Sequence, residues 1–284
     1  MASRLPVSRG CPGTIASSVA EIIFSADDFG LTESVNEAVE QANRNGRLTQ
    51  ASLMVAAPAA IDAVRRAKAL PDLKVGLHLV LVDGDSLLGH ARLPHITRPD
   101  GRFSTNQAAL GVKYFFSPAA RRELRAEIEA QFAAFAQTGL VLHHADAHKH
   151  FLLHPTIARM MIEIGKQYGL KRLRIPAEPP AIMAQLGERI SFGDHALYAW
   201  TRLLRWQARG LEVPDQVFGL KWSGHMTAER IARLLPLVPP GRTEIYTHPA
   251  TYRDPALVKL MPDYEHVAEF EALMGQDQRN TQAF

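Results

Sequence analysis

The most informative stretch of the sequence is EIIFSADDFG, residues 21–30, which combines a strand pattern with a pair of acids. Its apolar half predicts a buried strand, and Asp27 and Asp28 stand at the carboxyl end of that strand. Two buried carboxylates without partners are so costly that such a pair ordinarily binds a cation or a proton. Taken alone, the pair is more often a solvated helix cap, which is a common use of Asp. The histidines further along the chain change that balance.

The composition is typical of a globular protein with no affinity for nucleic acid. The 284 residues are 46% hydrophobic and 21% charged, and a net charge of +3 is too small to attract nucleic acid. Cys11 is the only cysteine, which excludes an intrachain disulfide and a cysteine metal cluster. No apolar stretch approaches the roughly 20 residues of a membrane span, and the first 20 residues do not resemble a signal peptide. We expect a flexible leader over residues 1–20, a single domain over residues 21–284, and a cytoplasmic location.

Strand and helix patterns alternate along the chain, as in parallel α/β folds. Strands are predicted at residues 22–26, 51–56, 75–82, 140–142, 173–175, 217–220 and 244–246. Helices are predicted at residues 34–45, 59–70, 118–139, 155–168 and 197–211, and from Thr227 onward. Residues 83–113 read as a long polar loop, which in a compact domain is usually functional. The repeated βα units predict an α/β protein, an irregular (β/α) barrel of seven or eight strands.

Acid, imidazole and guanidinium groups recur where the predicted strands end, and in a parallel barrel those ends meet at the active site. Beyond the aspartate pair, the candidates are His78, His143, His144, Asp146, His148, His150, Arg174, Glu178 and His248. One Asp with two imidazoles is a recurrent ligand set for Zn²⁺ and related ions. The plainer alternatives are a hydrogen-bonded core histidine at His78, a surface turn at the histidine cluster, and a salt bridge between Arg174 and Glu178.

These residues, in this order, resemble the YdjC-like (ChbG-type) carbohydrate deacetylases over most of residues 20–275. The resemblance rests on Ser25–Leu31, Gly76–Leu79, Asp146-x-His148-x-His150, Arg174-Ile175-Pro176-x-Glu178 and Tyr246-x-His248-Pro249. Four further segments look closest to the hopanoid-biosynthesis-associated HpnK group, namely Ser52–Val55, Val75–Val82, Lys113–Pro118 and Thr243–Pro249. Leu152 stands where the family often has another histidine, and Ala250 where it usually has Gly. Neither departure removes a matched ligand.

The resemblance implies a metal-dependent deacetylase on a TIM-like barrel, acting on an N-acetylated amino sugar. The HpnK likeness further implies N-acetylglucosamine linked to a hopanoid side chain. By position, the roles it implies are Asp28, His78 and His148 as ligands of one divalent ion (Zn²⁺ or Mg²⁺), Asp27 as base, His248 as acid, and His150, Asp146, Arg174 and Glu178 as substrate-binding or supporting residues. Whether His148 or His150 is the third ligand stays open.

Alternative functions remain at this point. A chitooligosaccharide deacetylase would use the same residues, whereas a non-catalytic metal- or sugar-binding barrel would need neither Asp27 nor His248. A serine hydrolase lacks its Gly-x-Ser-x-Gly elbow here, and a glycosidase would leave the histidines unexplained.

The segment Leu197–Leu211 has a second interpretation. As a helix it places Leu197, Trp200, Leu203, Leu204 and Leu211 on one face and three arginines (Arg202, Arg205 and Arg209) on the other. Such a helix ordinarily packs its apolar face inward. It can also lie in a membrane interface, so peripheral membrane contact stays open, as does a homodimer.

Overall fold

The computed structural model describes residues 20–275 and shows an α/β fold built on one parallel sheet. The strands lie in the order β4-β3-β2-β1-β6-β5, and every neighbouring pair is parallel. They are β1 (Ala20–Phe29), β2 (Gln50–Leu53), β3 (Lys74–Leu79), β4 (Ala145–Ala147), β5 (Gln216–Phe218) and β6 (Gly241–Thr247). Except for Ala20, the predicted leader lies outside the described residues.

The α-helices among the described residues connect these strands or extend the loops between them. They are α1 (Glu33–Asn45), α2 (Ala60–Lys68), α3 (Gln107–Phe116), α4 (Pro118–Gln137), α5 (Pro155–Gln167), α6 (Pro180–Gln185), α7 (Phe192–Gln207), α8 (Ala228–Leu234), α9 (Pro255–Leu260) and α10 (His266–Met274). Short 3₁₀ segments occupy His148–Leu153 and Leu235–Leu237. No described helix is both long and apolar enough to cross a bilayer.

The sheet curls into a half-barrel of six strands, where the sequence predicted seven or eight. The segment predicted as strand five contributes single bridges only: Leu173 pairs with Ala145 of β4, and Arg172 pairs with Glu212. Val217 of β5 then donates a hydrogen bond to the Ala177 carbonyl at 3.2 Å. Residues 172–177 therefore link the two edge strands without forming a regular strand themselves.

Local signals explain the helices that the sequence predicted well. The Ser117 hydroxyl accepts a hydrogen bond from the Ala120 N–H at 3.2 Å, and Pro118 occupies the first turn of α4. The stop predicted at Gly139 is real, since this residue has φ +75°, a conformation that glycine adopts without strain. Thr32 and Thr227 cap α1 and α8 in the same way as Ser117 caps α4.

Two sequence predictions in this part of the chain were wrong. The fourth strand is Ala145–Ala147 and not residues 140–142, where Val141 is exposed and so gains nothing from its apolar character. The loop predicted over residues 83–113 contains the first turns of α3, whose N-terminus is capped when the Asn106 side chain accepts from the Ala109 N–H at 2.9 Å. Only Leu110 and Tyr114 of α3 are buried, so its sequence lacks the usual amphipathic pattern.

Gly76 in β3 provides a test of this packing. A Cβ at this position would lie 2.5 Å from the ring of His144, which is buried and hydrogen-bonded to Ser52. We expect Gly76→Ala to lower the free energy of unfolding by about 1–3 kcal/mol, as overpacking usually does. In the control Gly193→Ala in α7, the new Cβ lies 3.4 Å from the hydroxyl oxygen of the N-cap residue Ser191, an ordinary contact distance, so stability should hold or rise. Urea unfolding measures both, and equal stabilities would contradict this account.

Candidate active site

The carboxyl ends of the strands bring the candidate residues together. Asp27 and Asp28 end β1, His78 lies in β3 and Asp146 in β4, and all four are buried. Asp28 has φ +60°, a strained conformation for a residue with a side chain. Because such strain costs free energy and persists mainly at functional sites, it supports a role for Asp28 in a binding site.

Asp28, His78 and His148 form a group that could hold a metal ion. One ligand atom from each lies within 4.8 Å of the others. The Asp28 Oδ1 atom is 3.3 Å from His78 Nε2 and 3.0 Å from His148 Nδ1, while Asp28 Oδ2 has no hydrogen-bond partner among the described residues. A carboxylate and two imidazoles with a free buried oxygen suit a divalent ion such as Zn²⁺, so these residues fit the predicted metal.

Asp146 contacts the nitrogen of His78 that lies away from Asp28. Its Oδ1 atom is 2.6 Å from His78 Nδ1, and its Oδ2 atom accepts from the Ser52 hydroxyl at 2.6 Å. A carboxylate on one imidazole nitrogen fixes the ring so that the other nitrogen faces the metal position. Burial disfavours the imidazolium, but the carboxylates of Asp146 and Asp27 outweigh it and raise the pKa of His78 to about 10. The cluster therefore attracts positive charge strongly.

Arg174 is the fixed cation of the site. Its guanidinium donates to both oxygens of Asp27 at 2.7 and 2.8 Å, and it also pairs with Asp146 at 2.9 Å and with Glu244 at 2.7 Å. Burial would lower the pKa of Arg174, yet these carboxylates hold it well above its usual value. Four carboxylates in the cluster, counting Asp28, outnumber one guanidinium, which leaves negative charge for a second cation.

The two adjacent aspartates have different environments. Burial raises the pKa of Asp27, although the charge of Arg174 opposes the change. Burial acts in the same sense on Asp28, but the charge and hydrogen bonds of His148 and His78 hold its pKa well below the usual range. Asp28 therefore suits cation binding, and Asp27 suits proton transfer.

His248 faces the site from the end of β6. Its ring contacts those of Tyr246 and Tyr264, with centroids 5.7 and 5.0 Å away, and its charge lowers the pKa of Asp27. The Glu269 carboxylate accepts from the His248 backbone N–H and lies 3.8 Å from His248 Nδ1. This buried carboxyl group therefore anchors the backbone of His248 beside its ring.

His150 and Glu178 lie apart from the metal-binding group. The His150 Nε2 atom is 2.7 Å from the Tyr246 hydroxyl, and burial lowers the pKa of His150 to about 3, so this ring is neutral. Glu178 does not form the salt bridge with Arg174 that the sequence allowed, since Arg174 pairs with Asp27, Asp146 and Glu244. Glu178 instead accepts from the backbone N–H groups of residues 219–221 at 3.0–3.1 Å. His148, and not His150, therefore lies beside Asp28 and His78.

Several residues of the site were missed in the sequence. Glu244 pairs with Arg174, the Ser52 hydroxyl donates to Asp146, and Glu269 accepts from the His248 backbone. The candidate His144 lies behind these residues, 3.1 Å from the Ser52 hydroxyl. A glutamate in the apolar strand TEIYT was a readable signal, since a buried strand carries a charge only with a partner. Ser52 and Glu269 had no such signal.

A cleft opens beside His148. Most of its lining is apolar, including Leu31, Met54, Val80 and Met261, and the charged side chains of Asp83, Asp85, Arg102 and Lys149 complete it. Its walls therefore suit a ligand that is apolar in part.

Comparison with known proteins identifies the family. The family model described as YdjC-like protein matches residues 21–283. This chain belongs to the YdjC-like family. The fold agrees: a crystal structure of an Enterococcus faecalis V583 protein, whose name proposes cellobiose-phosphate cleavage, superposes with a TM-score of 0.70 over 90% of each chain at 23% identity.

Curated relatives of this chain are named carbohydrate deacetylases. A carbohydrate deacetylase of Vibrio cholerae serotype O1 (strain M66-2) is 38% identical over 148 residues, which are 52% of this chain and 56% of that protein. A carbohydrate deacetylase of Thermoanaerobacter pseudethanolicus is 27% identical over 239 residues, 84% of each chain. The chain thus spans little more than half the length of the first of these relatives.

Replacement of Arg174 tests whether its guanidinium stabilises the buried carboxylates. We expect Arg174→Gln to lower the free energy of unfolding by about 3–5 kcal/mol, because three buried carboxylates lose their partner. Without Arg174, the pKa of Asp27 rises further above its value in the unfolded chain. Between the pKa of Asp27 in the unfolded chain and its higher pKa in the folded variant, the folded protein binds more protons than the unfolded one. The variant therefore loses stability as the pH rises from the first of these values to the second.

Urea unfolding at pH 5 and pH 8 measures this effect, and the deficit relative to wild type should be larger at pH 8. Arg159→Gln is the matched control, since its partner Glu163 lies on the surface of the same helix, and it should behave as wild type. A deficit that does not change with pH would contradict the assigned role of Arg174.

Proposed function

We propose that the protein is a metal-dependent carbohydrate deacetylase that hydrolyses the acetamide of an N-acetylated amino sugar. The observation that carries this proposal is the juxtaposition of two groups: a metal-binding triad, Asp28, His78 and His148, and a proton-transfer candidate, Asp27, on the neighbouring residue. Membership of a family whose curated relatives are named carbohydrate deacetylases supports it.

Each residue of the site has one role in the proposed amide hydrolysis. A divalent ion held by the triad would supply Lewis acidity toward the acetyl carbonyl and acidify a water molecule. Asp27, with its pKa raised by burial and its orientation fixed by Arg174, takes the proton of the attacking water. His248, supported by Glu269, gives a proton to the departing amine nitrogen. A non-catalytic sugar binder would need neither Asp27 nor His248.

For the substrate we propose N-acetylglucosamine carried on a hopanoid side chain. The HpnK-like motifs support this choice, as does the largely apolar cleft beside His148, which suits an aglycone of low polarity. A chitooligosaccharide is the second candidate because Arg102, Lys149 and two aspartates of the same cleft could bind sugar hydroxyls. Acetate release from each substrate by the purified chain distinguishes the two.

The first prediction for this function concerns the metal. The wild-type chain should hold about one divalent ion and release acetate, and a chelator should abolish the release. His148→Ala should lower metal content and activity together, because one of three protein ligands is lost. His195→Ala, which alters an exposed histidine, is the control. If His148→Ala kept full metal and full activity, His148 would not be a ligand and His150 would be the next candidate.

The second prediction separates the base from the ligands. Asp27→Asn preserves the shape of the side chain but removes the proton acceptor, so turnover should fall by about 10²-fold or more while metal content stays unchanged. Metal analysis and acetate release on the same sample measure both quantities. Loss of the metal would place Asp27 among the ligands, and retained turnover would refute its role as base.

A further inference from the structure

Helix α3 turns an apolar face outward. Val112, Phe115 and Phe116 are 62%, 48% and 73% exposed, while Leu110 and Tyr114 are buried beneath them. The helix is firmly attached, since the Tyr114 hydroxyl donates to the Leu81 carbonyl at 2.9 Å and Asn106 caps its first turn. A rigid helix that exposes two adjacent phenylalanines keeps them available for another surface.

The exposed charged residues that adjoin this face along the chain are basic, and the first acid after them, Glu123, is largely buried and pairs with His95. Residues 107–122 include Lys113, Arg121 and Arg122 and contain no aspartate or glutamate. All three basic residues are exposed, and the two arginines lie in the first turns of α4, directly after the phenylalanine pair. Apolar side chains that can insert, flanked by cations, match the interface of an anionic lipid bilayer.

The exposed apolar area of the face is too small for a stable dimer of this chain. Its three apolar side chains expose about 300 Å² in total, since a whole aromatic side chain contributes about 150–250 Å² and the smaller valine contributes less. A stable dimer needs about 800 Å² from each partner. A bilayer has no such requirement, because insertion of a few side chains and attraction of a few cations suffice for reversible binding.

The helix that bears this face begins beside the cleft of the site. The Gln107 side chain at the start of α3 donates to the Lys149 carbonyl at 3.0 Å, and Lys149 follows the ligand His148 and lines the apolar cleft. A bilayer in contact with α3 would therefore lie beside the entrance to the active site.

Helix α7, for which the sequence suggested membrane contact, is a weaker candidate. Leu204 is buried, the Trp200 indole donates to the Leu153 carbonyl at 2.8 Å, and Arg205 donates to the Pro214 carbonyl at 2.6 Å. Leu203 and Trp206 remain exposed, but most of the predicted face of α7 packs against the protein. The α3 face keeps both its apolar and its basic groups at the surface.

We propose that the α3 face, defined as Val112, Phe115 and Phe116 with Lys113, Arg121 and Arg122, docks on an anionic lipid bilayer and presents the active-site mouth to it. The consequence for the substrate rests on the proposed function: the amino sugar is taken from a lipid that stays in the membrane. The docking itself does not depend on catalysis.

Sedimentation with vesicles tests the docking. The full chain should bind vesicles containing 30% anionic phospholipid about tenfold more tightly than neutral phosphatidylcholine vesicles, and high salt should weaken the binding. Phe115→Ser/Phe116→Ser and Arg121→Glu/Arg122→Glu should each reduce it by about tenfold or more. The control Ile61→Ser/Val141→Ser changes two residues that are 87% and 85% exposed elsewhere, and it should bind as wild type.

Further measurements separate this proposal from the proposed function. Acetate release from a soluble N-acetylated chitooligosaccharide should be equal in wild type and Phe115→Ser/Phe116→Ser. Absence of wild-type binding to anionic vesicles at low salt would overturn the docking, as would wild-type binding by the phenylalanine variant. A concentration-dependent dimer that this variant abolishes would assign the face to a second copy instead. Vesicle binding by a chain that deacetylates nothing would refute the function and leave the docking intact.

Discussion

The site depends on one buried guanidinium that holds carboxylates from three strands. Arg174 binds Asp27 of β1, Asp146 of β4 and Glu244 of β6, and each of these side chains is nearly excluded from solvent. An ionised carboxylate in such a position costs several kcal/mol unless it is paired. Arg174 therefore makes the arrangement of the strand ends possible, and it does so from a segment that joins the sheet only through single bridges.

The same interaction explains why neighbouring aspartates can do different chemistry. Successive side chains of a strand point to opposite sides, and Asp28 in addition has a left-handed backbone, with φ +60°. Asp27 is thereby directed to Arg174 and Asp28 to the two histidines. Their environments move the two pKa values in opposite directions, as the proposed division between a proton acceptor and a charged metal ligand requires.

The sequence predicted features that depend on local signals. Helix α4 was located to within two residues because Ser117, Pro118 and Gly139 mark its ends, and the aspartate pair was placed correctly at the end of β1. Features set by distant residues were missed. The residues around Arg174 in the sequence do not indicate that its carboxylate partners are 147, 28 and 70 residues away. Strand β4 has only three residues, and its pairing with β3 outweighs their low β-strand propensity.

Helix α3 was missed for a different reason, and that reason bears on function. A sequence pattern identifies a helix by an apolar face that packs inward, whereas α3 buries only two side chains and exposes its phenylalanines. Places where a sequence violates the usual pattern are those where function is expected to compete with stability. The segment next to it is also strained, since Lys149 and His150 have φ values of +50° and +52°.

That strained segment is held from two sides. The Gln107 side chain of α3 binds the Lys149 carbonyl, and the Tyr246 hydroxyl of β6 binds the His150 ring. His148 immediately precedes these residues, so both hydrogen bonds lie within two residues of an imidazole of the proposed metal-binding triad. The backbone strain of Lys149 and His150 is thus held by partners on α3 and β6, which come from opposite sides of this segment in sequence and fix the turn that follows His148.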